Sequence, residues 1–113
     1  MRSKINSKAK GNTFEREIAK ELRERFGWDV VTSRSESKRM DDACVDLMGI
    51  PLFSLQLKAW EKSPPLHDTL QSMPDDTNIN CVFWKKNRKG TVVVMEKDDF
   101  YAIVSMLKMN GIL

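Results

Sequence analysis

The run Val45 to Trp60, VDLMGIPLFSLQLKAW, constrains the fold of this chain more tightly than any other. Two apolar stretches flank Gly49-Ile50-Pro51, and that tripeptide is turn chemistry, so the segment reads as strand, tight connection, strand. Side chains alternate across a strand, which puts Ser54, Gln56 and Lys58 on one face and Phe53, Leu55 and Leu57 on the other. Asp46 arrives from the neighbouring strand. A carboxylate, an amide oxygen and an ammonium thus converge at one end of a hairpin. The plainer reading of the same alternation is the solvated face of a half-buried sheet.

Upstream, Asn12 or Thr13 is placed to cap a helix running to Arg25 or Phe26, where Gly27 stops it. Phe14, Ile18, Ala19, Leu22 and Phe26 have helical spacing and fill an arc of about 140° at roughly 100° per residue. Glu15 falls inside that arc; Glu17, Glu21 and Glu24 fall outside it. A carboxylate on a buried face costs several kcal/mol unless it is paired or bound to a cation. Its position in the first helical turn offers a second account, through the helix dipole.

The remaining elements follow from pattern. Trp28 to Ser33 is rich in β-branched residues and reads as a first strand. Arg34 to Cys44 is polar and without period, so it is expected to be a loop, and a loop of this length in a compact domain is more often functional than idle. Ser63-Pro64-Pro65 opens a helix with Leu66, Leu70 and Met73 as its apolar stripe. Strands at Cys81 to Lys85 and Thr91 to Met95 are joined by a turn, Lys86 to Gly90. Asp98 or Asp99 caps a last helix with Phe100, Ile103, Val104 and Leu107 facing the core, ended by Gly111. The expected class is α/β: a mixed five-stranded sheet with flanking helices, in the order α-β-β-β-α-β-β-α.

The 113 residues make one domain, 1–113, able to bury a core without disulfides or structural metal, with residues 1–11 as a flexible basic arm. No apolar run approaches a membrane span of about 20 residues. The start, MRSKINSKAK, lacks the apolar stretch of a signal peptide, so a cytoplasmic location is expected. Cys44 and Cys81 have no metal-type spacing and are expected to be reduced and buried. His67, the single histidine, is expected at the surface.

A net charge of +3 points weakly to a polyanionic partner. The distribution is more telling. Arg2, Lys4, Lys8, Lys10 and Arg16 crowd the start, Arg34, Lys38 and Arg39 form a second cluster, and Lys85, Lys86, Arg88 and Lys89 a third. Three clusters bracketing one candidate site fit a groove that follows a phosphate backbone.

Lys10-Gly11 followed by Phe14-Glu15-Arg16-Glu17 resembles the KG-x-x-x-E-R-E opening of the archaeal-type Holliday junction resolvases and their phage relatives, members of the PD-(D/E)XK nuclease superfamily. The resemblance runs from about Lys8 to Trp60. It implies a restriction-endonuclease-like core and Mg²⁺-dependent cleavage of DNA, with Mn²⁺ able to substitute. Glu15 would be the helix carboxylate that reaches the metal, Asp46 the central carboxylate ligand, and the Leu57 carbonyl a further ligand. Gln56 stands where the family usually has glutamate; it keeps an oxygen and loses a charge. Lys58 would orient and help activate the attacking water. Ser35 or Ser37 falls where the resolvases carry a serine near the site. DNA contacts would come from Lys8, Lys10, Arg16, Arg34, Ser35, Ser37, Lys38, Arg39, Lys86, Arg88 and Lys89. The resemblance also implies a homodimer acting on branched DNA in a phage or mobile-element setting. A restriction or nicking specificity on the same fold, and a nucleic-acid-binding module without catalysis, are the alternatives.

Overall fold

The structure, a computed structural model, describes residues 7–113. The expected basic residues Arg2 and Lys4, and the side chains of Lys8 and Ser35, lie outside the described residues.

Helix α1 spans Ser7–Phe26, so it starts earlier than its capping residues suggested and carries Lys8, Lys10 and Gly11 as helix rather than arm. Thr13 does not cap; its hydroxyl donates to the Ala9 carbonyl one turn back. A glycine inside a helix costs only about 1 kcal/mol relative to alanine, and the apolar stripe below it outweighs that. Phe14, Ile18 and Ala19 are buried on this stripe, with Leu22 half-buried beside them. Gly27, at φ +73°, donates to the Arg23 carbonyl and ends the helix in the left-handed conformation that glycine adopts without strain.

The expected order of elements stands, with two one-turn helices inserted in what read as a loop. After β1 (Val31–Thr32) come α2 (Ser33–Glu36) and α3 (Lys38–Asp42), then β2 (Leu47–Met48), β3 (Phe53–Ala59), α4 (Leu66–Ser72), β4 (Ile79–Lys86), β5 (Gly90–Val94) and α5 (Lys97–Met109). The first strand is therefore shorter than the stretch from Trp28 to Ser33. The five strands lie side by side in chain order, all antiparallel except the β3–β4 pair, whose parallel crossover is made by α4. β3 pairs along its whole length with β4, from Phe53 opposite Ile79 to Ala59 opposite Lys85, but meets β2 only at Leu47 opposite Leu55.

The sheet is covered on both faces. Leu55, Leu57, Ile79 and Cys81 pack against α1, with Ile103 and Met106 of α5 at the margin. Val82 faces the other way, onto Leu70 and Met73 at the end of α4. Gly49, at φ +89°, sits so close to the preceding chain that a Cβ there would lie 2.2 Å from the Asp29 carbonyl oxygen. Only glycine fits that turn.

Helix α5 departs from expectation in two ways. None of its residues is fully buried, and Phe100, expected in the core, is 53% exposed. Its N-cap is Glu96, which makes no side-chain cap bond; Asp98 and Asp99 lie in the first turn instead. His67 is exposed, as expected. Both cysteines are free, but only Cys81 is buried, and burial with Asp99 nearby pushes its thiol up to about 11. Cys44 is only half-buried and adopts φ +64° in the chain leading to β2. Among the described residues no helix is long and apolar enough to cross a membrane.

Candidate metal and phosphate site

The site forms where the sheet opens. β2 and β3 part at Asp46, whose N–H donates to the Leu55 carbonyl as the last rung of backbone pairing. The next N–H on that edge of β3 belongs to Leu57, and the Asp46 carboxylate takes it at 2.7 Å through Oδ2. Within a strand, a residue's N–H and C=O point to the same edge. The Leu57 carbonyl therefore faces the same gap. Gln56 lies directly across from Asp46, and its Nε2 donates to Oδ2 at 3.4 Å.

That contact fixes which end of the Gln56 amide is left over. Gln56 is 8% exposed, and its Oε1 is buried with no hydrogen-bond donor among the described residues. An unpaired buried acceptor costs about 1–3 kcal/mol, so the arrangement is one that a cation would relieve. Ser54, on the same face, is fully buried and accepts from the Asn78 side-chain amide at 3.3 Å. The reading of this face as solvated sheet surface is thereby excluded for Ser54 and Gln56.

Glu15 reaches the gap from α1 and is 5% exposed. Its Oε2 accepts from the Arg34 guanidinium at 2.6 Å. The Arg34 side chain is 41% exposed, so the pair is worth about 1 kcal/mol or less. Desolvation and the nearby Asp46 charge outweigh it, and the Glu15 carboxyl is held above its ordinary value. Burial likewise pushes Asp46 up, against the opposing pull of the Leu57 N–H and of Lys58. Two carboxyls raised together by burial, one of them further by its neighbour's charge, are groups that the fold alone does not favour in ionised form.

A cleft of about 600 Å³ unites these groups. Glu15, Arg34, Asp46, Gln56, Leu57 and Lys58 line it, with Lys10, Trp60, Glu61 and Lys62 at its wall and rim. Lys58 makes no salt bridge among the described residues; its ammonium rests 4.6 Å from the centre of the Trp60 ring. The four residues expected to carry the chemistry, Glu15, Asp46, Gln56 and Lys58, are thus brought together, and Leu57 with them.

The expected phosphate-contacting residues divide. Lys10 and Arg34 belong to the cleft, each held by a carboxylate: Lys10 by Glu61 at 3.4 Å and Arg34 by Glu15. Arg16 lies beside the cleft in a shallow depression shared with Asn12, Glu15, Thr32 and Arg34. Lys38 and Arg39 are exposed on α3; Lys86, Arg88 and Lys89 are exposed at the β4–β5 turn. Ser37 caps α3 by accepting from the Met40 N–H, so its side chain serves the helix. Lys85 left the cluster for α1, paired with Glu17 at 3.3 Å.

Two groups of residues had no signal in the sequence. Ser33 is fully buried; its N–H donates to the Asp46 carbonyl at 2.9 Å and its hydroxyl donates to the Val45 carbonyl, so it anchors the backbone on which Asp46 sits. Glu61 accepts from the Asn87 N–H at 3.0 Å as well as from Lys10, which docks the β4–β5 turn beside the cleft and holds the Glu61 carboxyl below its ordinary value.

The available donors are all oxygen: the carboxylates of Glu15 and Asp46, the orphaned Gln56 amide oxygen and the Leu57 carbonyl. Such a set suits a hard divalent cation, Mg²⁺ or Mn²⁺, and not zinc. It contains two carboxylates only, and among the described residues no three His, Cys, Asp or Glu side chains are grouped to hold a metal ion. No family model matches this chain, and no curated protein or solved structure matches it either.

Proposed function

We propose that this chain is a metal-dependent endodeoxyribonuclease of the PD-(D/E)XK type, hydrolysing phosphodiester bonds in branched DNA. The observation that carries the reading is the convergence of Glu15, Asp46, the unpartnered Gln56 oxygen and Lys58 in one basic-rimmed cleft. In this reading the five-stranded sheet is a restriction-endonuclease-like core. Glu15, Asp46, Gln56 and the Leu57 carbonyl would hold Mg²⁺, or Mn²⁺ in its place.

A bound divalent ion in such a site supplies charge to offset the anionic transition state and lowers the pKa of water. The chain's own residues do the rest. Asp46 is fixed by the Leu57 N–H and by the Ser33-anchored backbone, so its second oxygen is presented to the cleft at little further entropic cost. Lys58, free of any carboxylate partner among the described residues, orients the attacking water and steadies the phosphate. Lys10, Arg34 and Lys62 hold the sugar-phosphate backbone across the mouth without reading bases. A junction has twofold-related scissile phosphates, and a C₂ homodimer would supply two sites.

A second reading, a DNA-binding module without cleavage, draws on Arg34. That side chain holds Glu15 at 2.6 Å, and Gln56 lacks the usual charge. A cleavage assay on four-way junction, flap and linear duplex in Mg²⁺, with wild type and Asp46→Asn, separates the readings. Wild type should cut a branched substrate, and Asp46→Asn should abolish cutting while junction binding stays within several-fold. Cleavage by the variant at the wild-type rate would remove the nuclease assignment; cutting of linear duplex alone would favour a restriction or nicking specificity.

A further inference from the structure

The wall of the cleft carries an exposed aromatic ring whose one ring contact among the described residues is the Lys58 ammonium. Trp60 follows directly on β3 and is 44% exposed, lining the cleft beside Lys58, Glu61 and Lys62. A single exposed apolar side chain ordinarily needs no explanation. The other two tryptophans show what packing roles look like here. Trp28 stacks on Phe26 with ring centroids 4.7 Å apart, and Trp84 is half-buried with its indole N–H donated to the Trp60 carbonyl at 2.7 Å. The indole N–H of Trp60 has no acceptor among the described residues, and its one ring contact is the Lys58 ammonium.

The backbone beneath this ring is pinned. Trp84 holds the Trp60 carbonyl, and the adjacent Glu61 carboxylate is tied both to Lys10 on α1 and to the Asn87 N–H at the β4–β5 turn. An exposed indole whose own carbonyl and whose neighbour's carboxylate are both held pays less ordering entropy when something lies against it. Lys58 lies against it, and Lys10 and Lys62 line the same cleft. An exposed ring in a cleft lined by ammonium groups is the pairing that single-stranded nucleic-acid sites use, charge for the phosphates and a ring for the base. A base inside an intact duplex is stacked on its neighbours and cannot use it.

We infer that Trp60 is a stacking platform for an unpaired base next to the phosphate in the cleft, so that the site prefers DNA with an unpaired nucleotide at that point over fully paired duplex. This rests on the nuclease reading for which phosphate is cut, and on the cleft alone for binding. Loss of one base stacked on an aromatic side chain should weaken binding roughly tenfold.

The test is a binding cycle in EDTA, where no cleavage occurs. Wild type, Trp60→Leu and Trp60→Tyr are each titrated with a gapped duplex, the same gapped duplex carrying an abasic site at the unpaired position, and a fully paired duplex. The preference of wild type for gapped over paired DNA should fall about tenfold in Trp60→Leu and recover in Trp60→Tyr. Removing the base should cost wild type the same factor and cost Trp60→Leu nothing further. The tryptophan emission change on binding gapped DNA should be smaller in Trp60→Leu, which keeps Trp28 and Trp84. An unaltered preference in Trp60→Leu, or an abasic penalty equal in both proteins, would overturn the inference. If wild type then fails to cut any substrate in Mg²⁺, the nuclease reading falls and the stacking result remains.

Discussion

Gln56 sits nine-tenths buried with its amide nitrogen turned to Asp46 and its oxygen without a hydrogen-bond donor among the described residues. If that oxygen is a metal ligand, Gln56→Glu supplies a carboxylate in its place. Near a divalent ion the added charge is attracted more strongly than its extra desolvation opposes. In the metal-free protein the same substitution removes a donor and sets two carboxylates face to face. The variant should therefore unfold at lower temperature than wild type in EDTA, by several degrees, and recover in Mg²⁺. Its cleavage midpoint should move to lower metal concentration. A midpoint that stays put in a metal titration of both proteins would end the ligand role; loss of activity at every concentration would mean the amide N–H is what the site needs.

At the scale of elements, the β4–β5 turn is the piece most plainly free to bind. Lys86, Arg88 and Lys89 are exposed, while Asn87 between them is tied to Glu61 at the cleft rim. Arg88 adopts φ +63°, a conformation asparagine tolerates better than most residues. The triple variant Lys86→Gln, Arg88→Asn, Lys89→Gln should thus fold as stably as wild type and bind DNA less tightly. Each lost phosphate contact should lower the slope of log K against log salt by up to about 0.9. An unchanged slope would put the turn outside the DNA-binding surface. This turn, like the strands beside it and the face of α1 that carries Glu15, could be read from local pattern. So could the pairing of Asp46 with Gln56 and Lys58, because alternation along β3 fixes their face. The helices α2 and α3 could not. They are single turns of mostly polar residues, Met40 apart, with no apolar stripe to announce them, and α3 is held by the local cap of Ser37. Nor could Arg34 with Glu15, Ser33 with Asp46, or Trp84 with Trp60, since each is a contact between distant parts of the chain that has no periodic trace. The early start of α1 was hidden by Gly11, which looks like a stop and is carried through.

For the molecule as a whole, the site costs stability. Glu15 and Asp46 have folded-state pKa values above the ordinary 4.5 and 3.8, so the folded chain binds those protons more tightly than the unfolded chain does. The cost of ionising them is absent below the ordinary values and fully present above the raised ones, and stability from this locus falls as pH rises. Glu61, held below its ordinary value, acts in the opposite sense. Comparison with the double variant Glu15→Gln, Asp46→Asn isolates the pair. In EDTA the variant should gain on wild type in Tm as pH climbs from acid to neutral, at roughly 5 °C per kcal/mol for a domain of this size. Mg²⁺ should raise the Tm of wild type and leave the variant where it is. A Tm gap that does not change with pH would mean the two carboxyls titrate normally.

The pairing of β3 has a consequence for the order in which this molecule comes into being. Every residue proposed to touch metal or the scissile phosphate lies between Lys10 and Lys62, so all of them are synthesised before β4. Yet β3 meets β2 at a single register position and finds its full-length partner only in β4, Ile79–Lys86. The same late strand brings Trp84 to the Trp60 carbonyl, and the turn after it brings Asn87 to Glu61. A nascent chain halted before β4 carries Glu15 on α1, Asp46 just before β2, and Gln56 and Lys58 on a strand still without its full-length partner. The contacts that hold the cleft wall at Trp60 and Glu61 form only once β4 and the turn after it have been made.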